Sequence, residues 1–269
     1  FLLYINDFYK STDIFDFHIF ADESNLFSSH QSLLALESEI NNNHYHISNW
    51  LAANKLSLNI EKTNFIIFHP HQRKTNYPIK LYINDKSIKK EMCIKYLGIF
   101  IDTHLNWKSQ ILHISKKIKR CVGILSKLRH NVNTATLIIL WYSLIYSFLN
   151  YCTITWGNTY PTTLQPLTLL QKRAIKIITF SDFRSQTTPL FYQLKLLKLS
   201  DLIYLKNALF MYEDNNGTLP AAFSHFFLPL SSVHQYNTRL AKKKSFYLPK
   251  TRTNYGKFNI RFHGVKVWN

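Results

Sequence analysis

The chain has 269 residues, 46% of them hydrophobic and 15% aromatic, enough apolar material to bury a real core in one large or two ordinary domains. Three scattered cysteines, Cys93, Cys121 and Cys152, lack Cys-x-x-Cys spacing, which argues against structural zinc or a disulfide framework and for a reduced, intracellular chain, nucleus and cytoplasm alike. A net charge of +18 favours a polyanionic partner. Residues 1–102 carry 10 Lys/Arg against 11 Asp/Glu, whereas residues 103–269 carry 23 against four, so the basicity belongs to the second part. That asymmetry suits nucleic acid better than an anionic membrane. Gly-rich phosphate loops, Gly-x-Ser-x-Gly elbows and dinucleotide fingerprints are absent from a chain with six glycines. Neither a signal peptide nor a terminal lipidation motif is present, and both ends read as cuts.

In chain order, Phe1 to Phe8 reads as the end of an apolar helix stopped by Asn6-Asp7. His18 to Ala21 and Asn25 to Phe27 are short apolar runs flanking Asp22 and Glu23, which predicts a β-hairpin with two carboxylates at its tip. Alone, such a pair is an ordinary solvated turn; facing a substrate, it is what metal-assisted phosphoryl or nucleotidyl transfer requires, since Mg²⁺ takes hard oxygen ligands. Ser28 and Gln31 form a capping-box start, followed by Leu33, Leu36, Ile40, Ile47, Trp50 and Leu51 at helical spacing. Leu56 to Phe68 gives a turn and a strand. His69 to Lys74 is a Pro-broken polar loop, and His69-x-His71 has no further ligand at metal spacing. Ile79 to Ile83, Asn84-Asp85 and Ser87-Ile88 predict a second hairpin. Ile94 to Asp102 is a strand interrupted by Gly98, a mark of a bulge or close backbone approach.

From Asn106 the period becomes helical. Trp107, Ile111, Ile114, Ile118, Leu125 and Leu128 share one face, and Lys108, Lys116, Lys117, Lys119, Arg120, Lys127 and Arg129 crowd the rest. Such a helix can lay cations along a phosphate backbone while its apolar stripe packs inward. Asn131 to Gln171 holds no charged side chain. Its segment Ala135 to Trp156 is too rich in Tyr, Ser, Thr and Asn for a membrane span, so a buried helix ended by Gly157 and Pro161 is expected. Leu164 to Ile178 and Leu190 to Tyr212 are further helical blocks, the latter closed by Asn215-Asn216-Gly217. Beyond them periodicity fades, and Ala241 to Lys244 is a short basic run.

Taken in succession, these segments resemble the reverse transcriptases of non-LTR (LINE-type) retrotransposons. "FLLYIND" is similar to the end of the motif just before the catalytic hairpin, and "FADESNLF" (Phe20 to Phe27) to the palm hairpin, usually Phe/Tyr-Ala-Asp-Asp. The resemblance makes Asp22 and Glu23 the catalytic, Mg²⁺-binding carboxylates. Glu23 stands where the family has a second Asp, which moves its carboxylate about one C–C bond from the backbone. "LSLNIEKTNFIIF" (Leu56 to Phe68) matches the next palm motif, whose lysine, here Lys62, protonates the leaving pyrophosphate. "KYLGIFID" (Lys95 to Asp102) resembles the primer grip, with Tyr96, Leu97 and Gly98 at its core. The basic helix falls where the thumb begins, so Lys108, Lys116, Lys117, Lys119, Arg120 and Lys127 become nucleic-acid-binding residues. "HQYNTRL" (His234 to Leu240) and "RTNYGKFNIRFHGVKVWN" (Arg252 to Asn269) resemble tail segments of such elements.

The implied fold is α+β: the C-terminal part of a palm (1–102), a mainly helical thumb (103–180) and a helical and irregular extension (181–269). The implied function is RNA-directed DNA synthesis by two-metal nucleotidyl transfer, with an RNA template, a DNA primer and deoxynucleoside triphosphates as partners. An alternative is a catalytically inactive, basic nucleic-acid-binding remnant of such an element. The strand carrying the other metal-binding Asp would belong to an upstream half. Without it, this chain is expected not to polymerise DNA.

Overall fold

The computed structural model describes residues 3–21, 23–70, 72, 77–84, 86–233 and 245–269. The chain divides into two compact units, residues 1–94 and 95–269. Small sheets and a packed helix make up the first, and helices dominate the second, an α+β composition as expected.

In the first unit, the turns from Leu3 run into a short 3₁₀ helix at Phe8–Ser11 rather than completing an apolar helix. Ile5 and Phe8 are buried there, held by tertiary packing instead of helical periodicity. Strands β1 (Asp16–Phe20) and β2 (Glu23–Phe27) form the antiparallel hairpin anticipated from the alternating residues, in a register that sets Phe20 opposite Glu23. Phe17 and Ile19 point to one face, toward Ile5, Phe8, Ile47, Trp50 and Leu51. Helix α1 (Leu33–Ala53) begins at a Ser32 N-cap, four residues after the Ser28 cap of the box expected from sequence. The His30 Nδ1 accepts the Ser32 N–H at 3.0 Å and ties the approach to the helix into a turn.

Helix α1 serves two small cores with a single face. Its C-terminal half packs under the hairpin, while Leu33 and Ile40 meet Ile79, Leu81 and Ile88. Asn41 replaces a missing strand neighbour at that end. Its Oδ1 accepts the Tyr82 N–H at 3.0 Å and its Nδ2 donates to the Lys80 carbonyl at 2.9 Å. Strand β3 (Asn64–Phe65) follows. Strands β4 (Tyr82–Ile83) and β5 (Lys86–Ser87) form the second hairpin where it was expected, turning at Asn84 (φ 48°). Strand β6 (Lys89–Lys90) pairs parallel with β3.

Strands β7 (Cys93–Tyr96) and β8 (Ile99–Asp102) form a hairpin that leads into α2 (Lys108–Leu128). Ile111, Ile114, Ile118, Val122 and Leu125 line the buried stripe of α2, with Ile118 and Leu125 wholly inaccessible. They pack into one core with Leu137, Trp141, Ile145, Leu149, Trp156, Leu167, Ile175 and Ile178. The uncharged run 131–171 thus wraps the apolar face of α2, where an unpaired charge would carry a large desolvation cost. It is not one helix. Helix α3 (Thr134–Trp141) passes through a π-helical turn (Tyr142–Tyr146) into α4 (Ser147–Asn150), and the chain breaks at Tyr151-Cys152 before α5 (Thr153–Trp156). Cys152 has φ 49°, and the Trp156 Nε1–H donates to the Tyr151 carbonyl at 2.9 Å, which satisfies a group freed by the break. Among the described residues, no helix is long and apolar enough to cross a membrane.

Pro161 begins α6 (Pro161–Ile178) rather than ending the preceding segment, because its fixed φ and missing N–H suit a first helical turn. The block expected over Leu190 to Tyr212 is two helices, α7 (Thr187–Gln193) and α8 (Leu199–Asn215), separated by a turn in which Lys195 has φ 54°. The described tail is ordered onto α8. Helical segments Asn254–Phe258 and Ile260–Trp268 bring Val265 and Trp268 to Met211, Phe227 and Phe246. The side chain of Asn269 pairs with both backbone groups of Phe246, at 3.0 and 2.8 Å. His234 to Leu240 and Ala241 to Lys244 lie outside the described residues.

A buried amide pair joins the chain after α5 to α8. Asn158 and Asn207 each donate Nδ2 to the other's Oδ1, at 2.9 and 3.0 Å, and Asn207 also donates to the Ile203 carbonyl. Asn207→Ala leaves the Asn158 amide buried and unpaired, a cost of about 1–3 kcal/mol. In chemical denaturation, Asn158→Ala should cost markedly less in the Asn207→Ala background than in the native chain. Strict additivity of the two losses would show that the pair contributes nothing as a pair.

Candidate nucleic-acid interface

The cationic surface of the second unit follows from the burial of α2. At about 100° per residue, Lys116, Arg120 and Lys127 fall opposite the buried stripe and Lys108 and Lys119 beside it, and all five are exposed. They run along a helix about 30 Å long. Lys117 is on the flank of this stripe, its Nζ 5.0 Å from the centre of the Phe148 ring. Among the described residues there is one ion pair, Lys89 with Glu91 at 2.6 Å, so none of these α2 cations is neutralised by a described carboxylate.

The β7–β8 hairpin is fastened to this helix. Gln110, itself buried, accepts the Phe100 N–H on its Oε1 at 2.9 Å, and the Phe100 ring lies 4.7 Å from that of His113. Asp102 Oδ1 accepts the Asn106 N–H at 2.9 Å and shapes the turn into α2. His113 is shifted below its ordinary pKa, first by burial and then by the positive fields of Lys117, Lys95 and Lys116. Lys95 on β7 therefore shares an electrostatic neighbourhood with the α2 cations, although the sequence pattern did not single it out.

At the hairpin tip, Leu97 (φ 45°) and Gly98 (φ 82°) form a two-residue turn with both φ values positive, the twist that antiparallel strands favour. Tyr151 closes over it. Its hydroxyl donates to the Leu97 carbonyl at 2.6 Å, and a Cβ on Gly98 would rest 3.5 Å from its ring. Tyr151 comes from the α4–α5 break, 54 residues away, and no local signal in the sequence connects the two. Tyr96 and Leu97 are half-buried, whereas Gly98 is exposed.

In the first unit two of the expected catalytic residues, Glu23 and Lys62, are exposed. Glu23 is exposed at the start of β2, and Asp22 lies outside the described residues. Lys62 is exposed in a turn, where its N–H donates to the Asn59 carbonyl at 3.2 Å. Among the described residues no group of three His, Cys, Asp or Glu side chains could hold a metal ion.

Over 163 residues, 59% of this chain, the sequence is 22% identical to a probable RNA-directed DNA polymerase from transposon X-element of Drosophila melanogaster. The relationship is reverse-transcriptase-like. The matched stretch amounts to 18% of that relative's own length, so the chain spans only a small part of it. No family model and no solved structure matches.

Gly98→Ala should destabilise the helical unit by roughly 1–2 kcal/mol through its positive φ alone, since the new methyl group meets Tyr151 at ordinary contact distance. An unchanged denaturation midpoint would contradict the turn geometry.

The lowered pKa of His113, and of His263 by burial and Lys266, also sets a pH dependence. The unfolded chain takes up these protons first, near pH 6.5. Stability is therefore complete above about pH 6.5 and declines as pH falls toward the lowered folded values. Thermal melts should show this decline, and His113→Gln should flatten it. A melting temperature that rises on acidification through this window would contradict the assignment.

Proposed function

We propose that the chain is a segment of a non-LTR-type reverse transcriptase, and that the work its own residues perform is to hold nucleic acid through phosphates. The observation that carries this reading is the stripe of α2 cations, exposed and without a described acidic partner. Counterion release makes such a surface bind polyanions without base readout. The resemblance to the transposon polymerase supplies the class of partner, an RNA template with a DNA primer, and the hairpin at Tyr96, Leu97 and Gly98 is assigned the primer-grip role. In this reading residues 1–102 correspond to palm and 103–180 to thumb. Tyr151 then becomes a positioning residue for the grip, because it braces the turn from behind.

Polymerisation would draw Asp22, Glu23 and Lys62 into two-metal nucleotidyl transfer. Of that set, Glu23 and Lys62 are exposed in the first unit. Phosphate binding by this chain does not depend on those residues, and an inactive, basic binding remnant would share the same α2 surface.

Binding to single-stranded RNA should weaken linearly in log salt, with a slope of about −0.7 per phosphate neutralised. Changing Lys116, Lys117, Lys119 and Arg120 together to Gln should make that slope shallower by up to about 2.8 and weaken all sequences alike. Salt-insensitive binding, or a variant that loses affinity for one sequence only, would overturn the proposal.

A further inference from the structure

A second basic and aromatic surface lies where the C-termini of α2 and α6 meet, just beyond the Lys127 end of the cationic stripe. Phe180, just past α6, has φ 54°, a left-handed position that helix ends ordinarily give to glycine. An aromatic residue there carries backbone strain, and Phe180 is still 46% exposed. Above that ring sits the Arg129 guanidinium, 4.5 Å from its centre, and His130 meets the ring edge-on at 5.6 Å. Among the described residues the buried Arg129 Nε has no hydrogen-bond partner, and no carboxylate pairs with the guanidinium.

Three residues further on, Phe183 is 85% exposed. Lys176 covers one face of its ring with Nζ 5.3 Å from the centre, and the same Nζ donates to the Phe183 carbonyl. The Ser181 N–H donates to the Lys176 carbonyl at 3.0 Å, which closes the loop against α6. The one acid in this loop, Asp182, accepts the Arg184 N–H on its Oδ1 at 2.9 Å and so shapes the turn. The loop thus presents an exposed aromatic ring with one face under Lys176, and no described carboxylate pairs with that lysine.

We propose that Phe183 is a stacking platform for one base of a single-stranded nucleic acid, with Arg129, oriented by Phe180, and Lys176 meeting the adjoining phosphates. This rests on the nucleic-acid reading above but assigns a different surface and a different interaction. Stacking on an aromatic face is indifferent to base identity, as a phosphate-binding chain requires. A lone exposed aromatic residue would be unremarkable on any surface. Here a guanidinium that no described carboxylate pairs and a left-handed Phe180 meet at the same helix end.

The test is fluorescence anisotropy of the full chain with a labelled single-stranded oligonucleotide, the duplex of the same sequence, and the same strand carrying abasic sites. Phe183→Ala should weaken single-strand binding about tenfold, with the salt slope and the affinity for duplex unchanged. Phe183→Trp should retain affinity, and Phe183→Leu should lose it as Ala does, which separates stacking from apolar contact. On the abasic strand Phe183→Ala should bind like the native chain. Native single-strand affinity in Phe183→Ala, or equal losses on single strand and duplex, would overturn the proposal. So would a loss confined to phosphatidylserine vesicles, which would mark a lipid surface instead. If the α2 variant flattens the salt slope while Phe183→Ala changes nothing, only this inference falls. If the native chain binds no nucleic acid, both readings fall.

Discussion

The second unit depends on the burial of one side of α2. Each fully buried Ile or Leu of that stripe contributes roughly 1.5–3 kcal/mol, so rotating the helix to bring a lysine inward would forfeit that gain and add a charge-desolvation cost. The orientation of the cations is a consequence of this penalty. Lys116, Lys119, Arg120 and Lys127 face solvent because Ile114, Ile118, Val122 and Leu125 cannot. The same constraint explains the composition of the neighbouring segment. Residues 131–171 supply the walls of the core around α2, and walls of that kind tolerate hydroxyls and amides but no unpaired charge.

Hydrophobic burial of this kind is not directional, and a small set of buried polar groups adds the direction. Gln110 ties β8 to α2. Gln171 donates to the Leu197 carbonyl and accepts the Leu199 N–H, both at 2.9 Å, and so fixes where α8 begins against α6. Asn158 and Asn207 lock the chain after α5 to α8. Each pairing would leave an unsatisfied buried group if its helix slid by a single residue. The cationic stripe and the braced turn at Leu97-Gly98 therefore hold fixed positions within one unit. Preorganised cations lose less freedom on binding than mobile ones do.

The first unit is held more lightly. Its strands form separate two-stranded pairs, and two small cores share one face of α1. Glu23, Lys62 and the outer face of the β1–β2 hairpin, with Phe20 and Phe27, remain open. Two-stranded pairs of this size gain their stability from a packed helix, and α1 provides it here.

Local periodicity made a good part of this architecture legible in the sequence. Alternation around Asp22-Glu23 and the Asn84-Asp85 turn announced the two hairpins, and a 3.6-residue repeat with interleaved lysines announced α2 and its exposed cations. Those features involve residues close together in the chain, where side-chain direction follows from backbone geometry alone. The start of α1 at Ser32, the break at Tyr151-Cys152 and the role of Pro161 as a helix start were not legible, because each is settled by competition among several acceptable local choices. The bracing of Leu97-Gly98 by Tyr151, the seating of Arg129 over Phe180 and the docking of Val265 on Met211 were decided only by tertiary structure. Each joins residues tens of positions apart, and such contacts form only after the core has paid the entropy of bringing them together.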